Sequence, residues 1–184
     1  MKKLFIAAAV SVLSISAFAF GEVRVDVRGG EGQALEDVKV SSGKFWYNKR
    51  YADTPDAKSM IYTSSEKLTD KWQQLEISFV PSASGRLTIS FLSPGSSQKD
   101  RILPVRIDKV TAEGLEIQNG SFETLNRRNL PTPWRMGKAK LITDDAADGK
   151  NCIQVIYGGG AYYVGKVEAG KKVTLSFMAK IGTK

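Results

Sequence analysis

The residues that could do chemistry in this chain are flat rings able to stack on a sugar, carboxylates able to hold a cation or move a proton, and one thiol. The apolar C–H face of a pyranose stacks on Trp or Tyr while polar side chains bond its hydroxyls. Trp46, Tyr47 and Tyr51 lie close together, Tyr162 and Tyr163 are adjacent, and Trp134 follows Pro133. In an extended Lys44-Phe45-Trp46-Tyr47 run, Trp46 points opposite to Phe45 and Tyr47, so at least one ring there lies away from the core. By the same alternation, one of Tyr162 and Tyr163 packs inside. These aromatics are our candidate ligand-binding residues. For Trp46 and Tyr162, packing and ligand contact both stay open; Trp134 has a packing reading beside its ligand reading, and Trp72 reads as core or core rim.

Bond-breaking chemistry has little to work with. The chain has no histidine, which excludes Ser-His-Asp and Cys-His catalysis and the usual zinc sites. A glycosidase needs two carboxylates at roughly 5–9.5 Å. The chain carries 19 acids, yet no two fall at adjoining strand ends in a motif, and Glu76, Glu116 and Glu123 alternate with apolar residues as solvent-facing strand positions. Gly158-Gly159-Gly160 lies between strands, without the helix a phosphate cradle needs. We expect no enzymatic activity. Cys152 is the single cysteine; it sits among Ile153, Val155 and Ile156 and reads as a small buried hydrophobe.

The start of the chain reads as an export signal: Lys2-Lys3, a mostly apolar Leu4–Leu13, and Ala17-Phe18-Ala19 at the cleavage positions. Cleavage after Ala19 removes 19 of 184 residues, leaves 165, and takes the formal charge from +8 to +6. We expect an exported protein, periplasmic, cell-surface or extracellular, with no membrane span after signal removal. With one cysteine there is no internal disulfide, so burial and hydrogen bonding hold the fold. The basic residues are scattered, with no dense run, which argues against nucleic acid and for weak attraction to acidic glycans or the envelope.

The elements that position these residues are strands. Val23–Val27 alternates with period two, as do Trp72–Phe79, with Leu75, Ile77 and Phe79 on one face, and Arg86–Phe91, with Leu87, Ile89 and Phe91. Val38–Val40, Lys44–Tyr47, Met60–Thr63 and Val105–Val110 are shorter. Further on come Lys138–Ile142, Ile153–Tyr157, Ala161–Val167 and Val173–Phe177, with an acidic loop at Asp144–Lys150. Nothing has helical period. Short strands with regular turn signals predict an all-β antiparallel sandwich of jelly-roll type.

Asn119-Gly120-Ser121-Phe122-Glu123, the Pro131-Thr132-Pro133-Trp134 turn, Asn151–Ile156 and Glu168–Lys180 occur in an order that resembles the opening half of the jelly-roll carbohydrate-binding modules of bacterial xylanases and cellulases. Trp72-x-x-Leu75-x-x-x-Phe79 and Ile107-Asp108-x-Val110 resemble the closing half. The resemblance implies a galactose-binding-like fold and polysaccharide binding, with no cofactor required. It also implies a place for a structural calcium, with Glu123 and Asp108 as the matching ligands. Neither half supplies a full set of the 6–8 oxygens calcium takes. We expect a signal peptide at 1–19, a sandwich at 20–115, and a second, truncated unit at 116–184, as a longer chain with further domains would give. The other arrangement is a single rearranged sandwich. The expected function is secreted, non-catalytic polysaccharide binding; the alternative is a structural or protein-interaction spacer in a surface protein.

Overall fold

The computed structural model describes residues 21–47, 58–64, 68–92 and 103–183. The leader and Tyr51 lie outside the described residues. Twelve strands are described: β1 (Arg24–Gly29), β2 (Leu35–Val40), β3 (Lys44–Tyr47), β4 (Met60–Ser64), β5 (Gln73–Pro81), β6 (Gly85–Leu92), β7 (Val105–Glu113), β8 (Arg135–Gly137), β9 (Lys140–Thr143), β10 (Asn151–Val155), β11 (Gly160–Val167) and β12 (Val173–Ile181). They form two six-stranded sheets, the first in the order β3-β4-β1-β6-β11-β8 and the second β2-β5-β12-β7-β10-β9. Their paired neighbours run antiparallel. The chain is an all-β sandwich.

The alternation read from sequence is what closes it. Val25 and Val27, Ile77 and Phe79, Leu87, Ile89 and Phe91, and Val173, Leu175 and Phe177 are buried and belong to one core cluster. Each fully buried Phe or Leu contributes about 1.5–3 kcal/mol of hydrophobic stabilisation. Phe91 meets Phe177 edge to face at 5.0 Å between centroids, which joins the first sheet to the second.

The expected division at 116 does not hold. β11 pairs along its whole length with β6, and β12 lies between β5 and β7. The described strands on the two sides of 116 are interleaved in both sheets, so 20–115 and 116–184 are not separate units. The physical reason lies in β12: its apolar face of Val173, Leu175, Phe177 and Ala179 packs into the core against the first sheet, where Phe177 meets Phe91, and its two backbone edges are paired by β5 and β7.

The Asn119–Glu123 stretch is a packed corner. Asn119 donates from Nδ2 to the Thr124 and Thr132 carbonyls at 2.8 Å each and accepts from the Thr124 N–H at 2.9 Å. Gly120 accepts from the Val110 N–H at 2.9 Å, and a Cβ there would stand 1.8 Å from the Val110 oxygen. Only glycine fits. Phe122 is fully buried and meets Trp134 at 5.1 Å. Leu115 fills the space over Gly165, where a Cβ would come within 2.4 Å of it.

Candidate functional site

Antiparallel register builds the site one rung at a time. Trp46 pairs with Tyr62, Tyr62 with Asp26, Asp26 with Ser90, Ser90 with Tyr162, and Tyr162 with Arg135. The neighbours of these residues along each strand, Val25 and Val27, Ile61, Ile89 and Phe91, Ala161 and Tyr163, face the core. The rung therefore lies on the outer face of the first sheet and crosses all six of its strands. With strands about 4.8 Å apart, Trp46 and Tyr162 are separated by four spacings, roughly 19 Å. A short oligosaccharide spans that distance.

Trp46 is 41% exposed. Its ring stacks on Tyr62, centroids 6.0 Å apart and planes at 13°. Tyr62 is buried, and the Arg24 guanidinium carbon stands 4.1 Å from its ring centre. Arg24 in turn holds Asp26 through two bonds, Nε to Oδ1 at 2.8 Å and Nη2 to Oδ2 at 3.2 Å. Burial pushes the Asp26 carboxyl above its ordinary value, and Arg24 opposes that shift. Trp46, Tyr62, Arg24 and Asp26 thus brace one another, a chain of contacts that presents the free face of Trp46. Tyr162 is half-buried at the other end and lies beside Gly137.

On the next rungs of the same face sit Arg28, Thr88 and Val164, then Arg86 opposite Lys166. Arg86, Thr88, Arg135, Val164, Gly165 and Lys166 line an open depression of about 550 Å³. A second depression, about 630 Å³, lies at the sheet edge along Lys39, Val40, Gly43, Lys44 and Phe45.

The structure separates the remaining sequence candidates. Tyr47 is partly exposed at the open edge and donates to the Leu35 carbonyl at 3.0 Å. Burial, Glu36 and Asp37 hold its phenol above the ordinary range, so it keeps its proton. Trp134 and Tyr163 are corrections: both are buried at 5% exposure, their rings 5.0 Å apart. Trp134 donates to the Gln118 and Asn119 carbonyls at 3.1 and 3.0 Å. The Tyr163 hydroxyl donates to the Glu116 carbonyl and accepts from the Gln118 N–H. Their polar atoms are committed to the corner, so neither can meet a ligand. Tyr62 and Arg24 were missed; the alternation of β1 and β4 carried the signal, but the pairing of β4 between β3 and β1 did not show in the sequence.

Neither expected calcium ligand has the surroundings of one. Glu123 accepts from the Lys150 and Asn151 N–H groups and from Asn151 Nδ2 at 2.7–2.9 Å. Asp108 accepts from the Lys109, Ala147 and Asp148 N–H groups at 2.6–2.9 Å. Such donors present positive hydrogens where a cation would need oxygens. No group of three or more acidic, thiol or imidazole side chains gathers among the described residues. These carboxylates tie down the acidic loop. Asp145 of that loop also pairs with Arg106 and Lys180, and its carbonyl accepts from the buried Cys152 thiol at 3.3 Å.

What these elements define is a β-sandwich with an aromatic, cationic row on one outer sheet face. Compared with known proteins, the chain matches no family model, no curated protein and no solved structure. Among the described residues no helix is long and apolar enough to cross a membrane.

Proposed function

We propose that this is an exported, non-catalytic polysaccharide-binding protein that takes its ligand along the outer face of the first sheet. The observation that carries the proposal is the single rung that aligns Trp46 and Tyr162 on one side of one sheet, although 116 positions separate them in the chain. A braced Trp face and a second half-exposed ring on the same side of one sheet are stacking surfaces of the kind a sugar site needs. The non-catalytic part of the reading rests on the sequence, which has no histidine to act as a general base. The resemblance of the Asn119–Glu123 corner and its flanking strands to carbohydrate-binding modules supports the same reading.

Affinity electrophoresis against soluble glycans tests it. Retardation by at least one glycan is expected, and it should be lost in Trp46→Ala and in Tyr162→Ala. An exposed aromatic pair contributes about 0.5–1.5 kcal/mol, so both variants should melt within a few degrees of the parent. Absence of retardation by every glycan, or undiminished retardation of both variants, would overturn the proposal. A large fall in melting temperature for both would instead give the rings a packing role and favour a structural spacer.

A further inference from the structure

We infer that the ligand is an acidic polysaccharide, one that carries carboxylate or sulfate groups, with its anions held in the depression of Arg86, Arg135 and Lys166. The inference rests on the polysaccharide-binding proposal and names the class of sugar.

Charge on the two outer faces is divided unequally. Among the described residues, the first sheet's outer face carries Arg24, Arg28, Lys44, Arg86, Arg135 and Lys166 against one acid, Asp26. The second sheet's outer face mixes the signs, with Glu36, Glu76 and Glu113 on the same strands as Lys39 and Lys180. There Arg106 and Lys180 share Asp145. Among the described residues of the first sheet, only Arg24 has such a partner. Arg28, Arg86, Arg135 and Lys166 are exposed and have no acidic partner among the described residues.

Two features separate this patch from an ordinary solvated surface. Arg86 and Lys166 stand directly opposite each other on neighbouring strands, a like-charge pairing that destabilises a sheet. Arg86 at least is no guard against edge-to-edge aggregation, a common role for exposed cationic residues, because β6 lies between β1 and β11; Lys166 lies on β11 beyond the Ala161 and Tyr162 rungs that β8 covers. An anion placed between them converts repulsion into two charge-assisted hydrogen bonds. Val164, 47% exposed, and Thr88 form the adjoining rung, so apolar surface and a hydroxyl lie beside the cations. Tyr162 is one rung further on, placing ring-stacking surface next to the anion site. A charged sugar chain matches both; a neutral one leaves the cations unmatched.

The test measures affinity of the full chain for alginate (carboxylate), dextran sulfate (sulfate), neutral hydroxyethylcellulose and xylan, and inorganic polyphosphate as a polyanion with no ring or C–H face to stack. One or both acidic glycans should bind at least about tenfold more tightly than the neutral ones at low salt, and whichever binds identifies the anion. Affinity should fall as salt rises. The double variant Arg86→Gln/Lys166→Gln should lose about tenfold in affinity while melting at or above the parent temperature, since it removes a repulsive pair. Lys39→Gln/Lys140→Gln removes the same charge from the second sheet and should change affinity by no more than about twofold. Neutral glycans binding as tightly as acidic ones would overturn the inference and leave the polysaccharide proposal standing. Full affinity in the Arg86/Lys166 variant, or equal affinity for polyphosphate, would overturn it as well. Absence of binding to every glycan would overturn the polysaccharide proposal itself.

Discussion

Asp108 gives a sharp test of what holds the sandwich together, because the same residue fits a calcium reading in sequence and a hydrogen-bonding one in structure. Its carboxylate is fully buried and accepts three backbone N–H bonds, from Lys109 at 2.6 Å, Ala147 at 2.7 Å and Asp148 at 2.9 Å. Hydrogen bonds to a charged group contribute about 1.5–3 kcal/mol each. Ala147 and Asp148 lie at the surface, so water replaces part of what Asp108→Ala removes, and burial of the charge already offsets some of the gain. The net loss should be about 3 kcal/mol, which for a domain of this size lowers the melting temperature by about 6–12 °C. Asp108→Asn keeps one acceptor for the loop and turns an N–H against Lys109, so it should lose roughly half as much. The pH dependence supplies the sign. Burial raises the Asp108 carboxyl above its ordinary 3.8, against the pull of the three N–H bonds. With the folded value above the unfolded one, this group's linked stability is present below 3.8 and lost as pH rises through the folded value. The advantage of the parent over Asp108→Asn should therefore be largest in acid and shrink as pH rises. Thermal melts of the three proteins across pH, with and without EDTA, measure this. A calcium ligand would couple stability to the metal, and a parent destabilised by EDTA would refute the hydrogen-bonding account.

Two further outcomes follow from close packing. Gly120→Ala would set a Cβ 1.8 Å from the Val110 oxygen, a backbone atom that cannot step aside, so it should melt at least as far below the parent as Asp108→Ala; a melt within a few degrees would refute the corner geometry. Burial pushes the Cys152 thiol up to about 11, so it should resist a thiol reagent at pH 8 in the native protein and react fully in denaturant. Rapid native labelling would show that the 144–150 loop does not cover it.

Strand by strand, the fold was legible in the sequence; the order of strands was not. Period-two runs marked β1, β5, β6, β11 and β12 because burial on one side imposes that alternation locally. Nothing local says which neighbour a strand takes, and the burial of β12 between β5 and β7 rests on contacts about a hundred residues apart. The site suffered in the same way. Trp46 and Tyr162 could be named from residue type and spacing, and the pairing of an inward with an outward tyrosine at 162 and 163 follows from the pleat. Their shared rung could not be named without the register. Trp134 shows the converse limit: a tryptophan after a proline turn has the same sequence signature whether its ring meets solvent or, as here, Phe91 and Phe122. Glu123 and Asp108 read as oxygen ligands because a carboxylate's residue type does not reveal whether its partner is a cation or an N–H.

Interleaving has a consequence that separates the single sandwich from two successive units. A chain ending at residue 115 retains β1 to β7 but loses β12 from between β5 and β7. The second sheet is then split: β5 keeps only β2, and β7 loses both of its neighbours, β12 and β10. β6 becomes an edge where β11 had paired with it over eight residues. The core loses Phe122, Trp134, Ile153, Leu175 and Phe177 at once, and at about 1.5–3 kcal/mol for each large side chain that exceeds half of the 5–15 kcal/mol that is the whole net stability of a typical domain. Such a chain should show no cooperative thermal transition and should aggregate through its uncovered strand edges. If residues 20–115 instead gave a cooperative melt and a dispersed amide spectrum, the first half would be a unit in its own right. The rung from Trp46 to Tyr162 would then join two bodies instead of crossing one sheet.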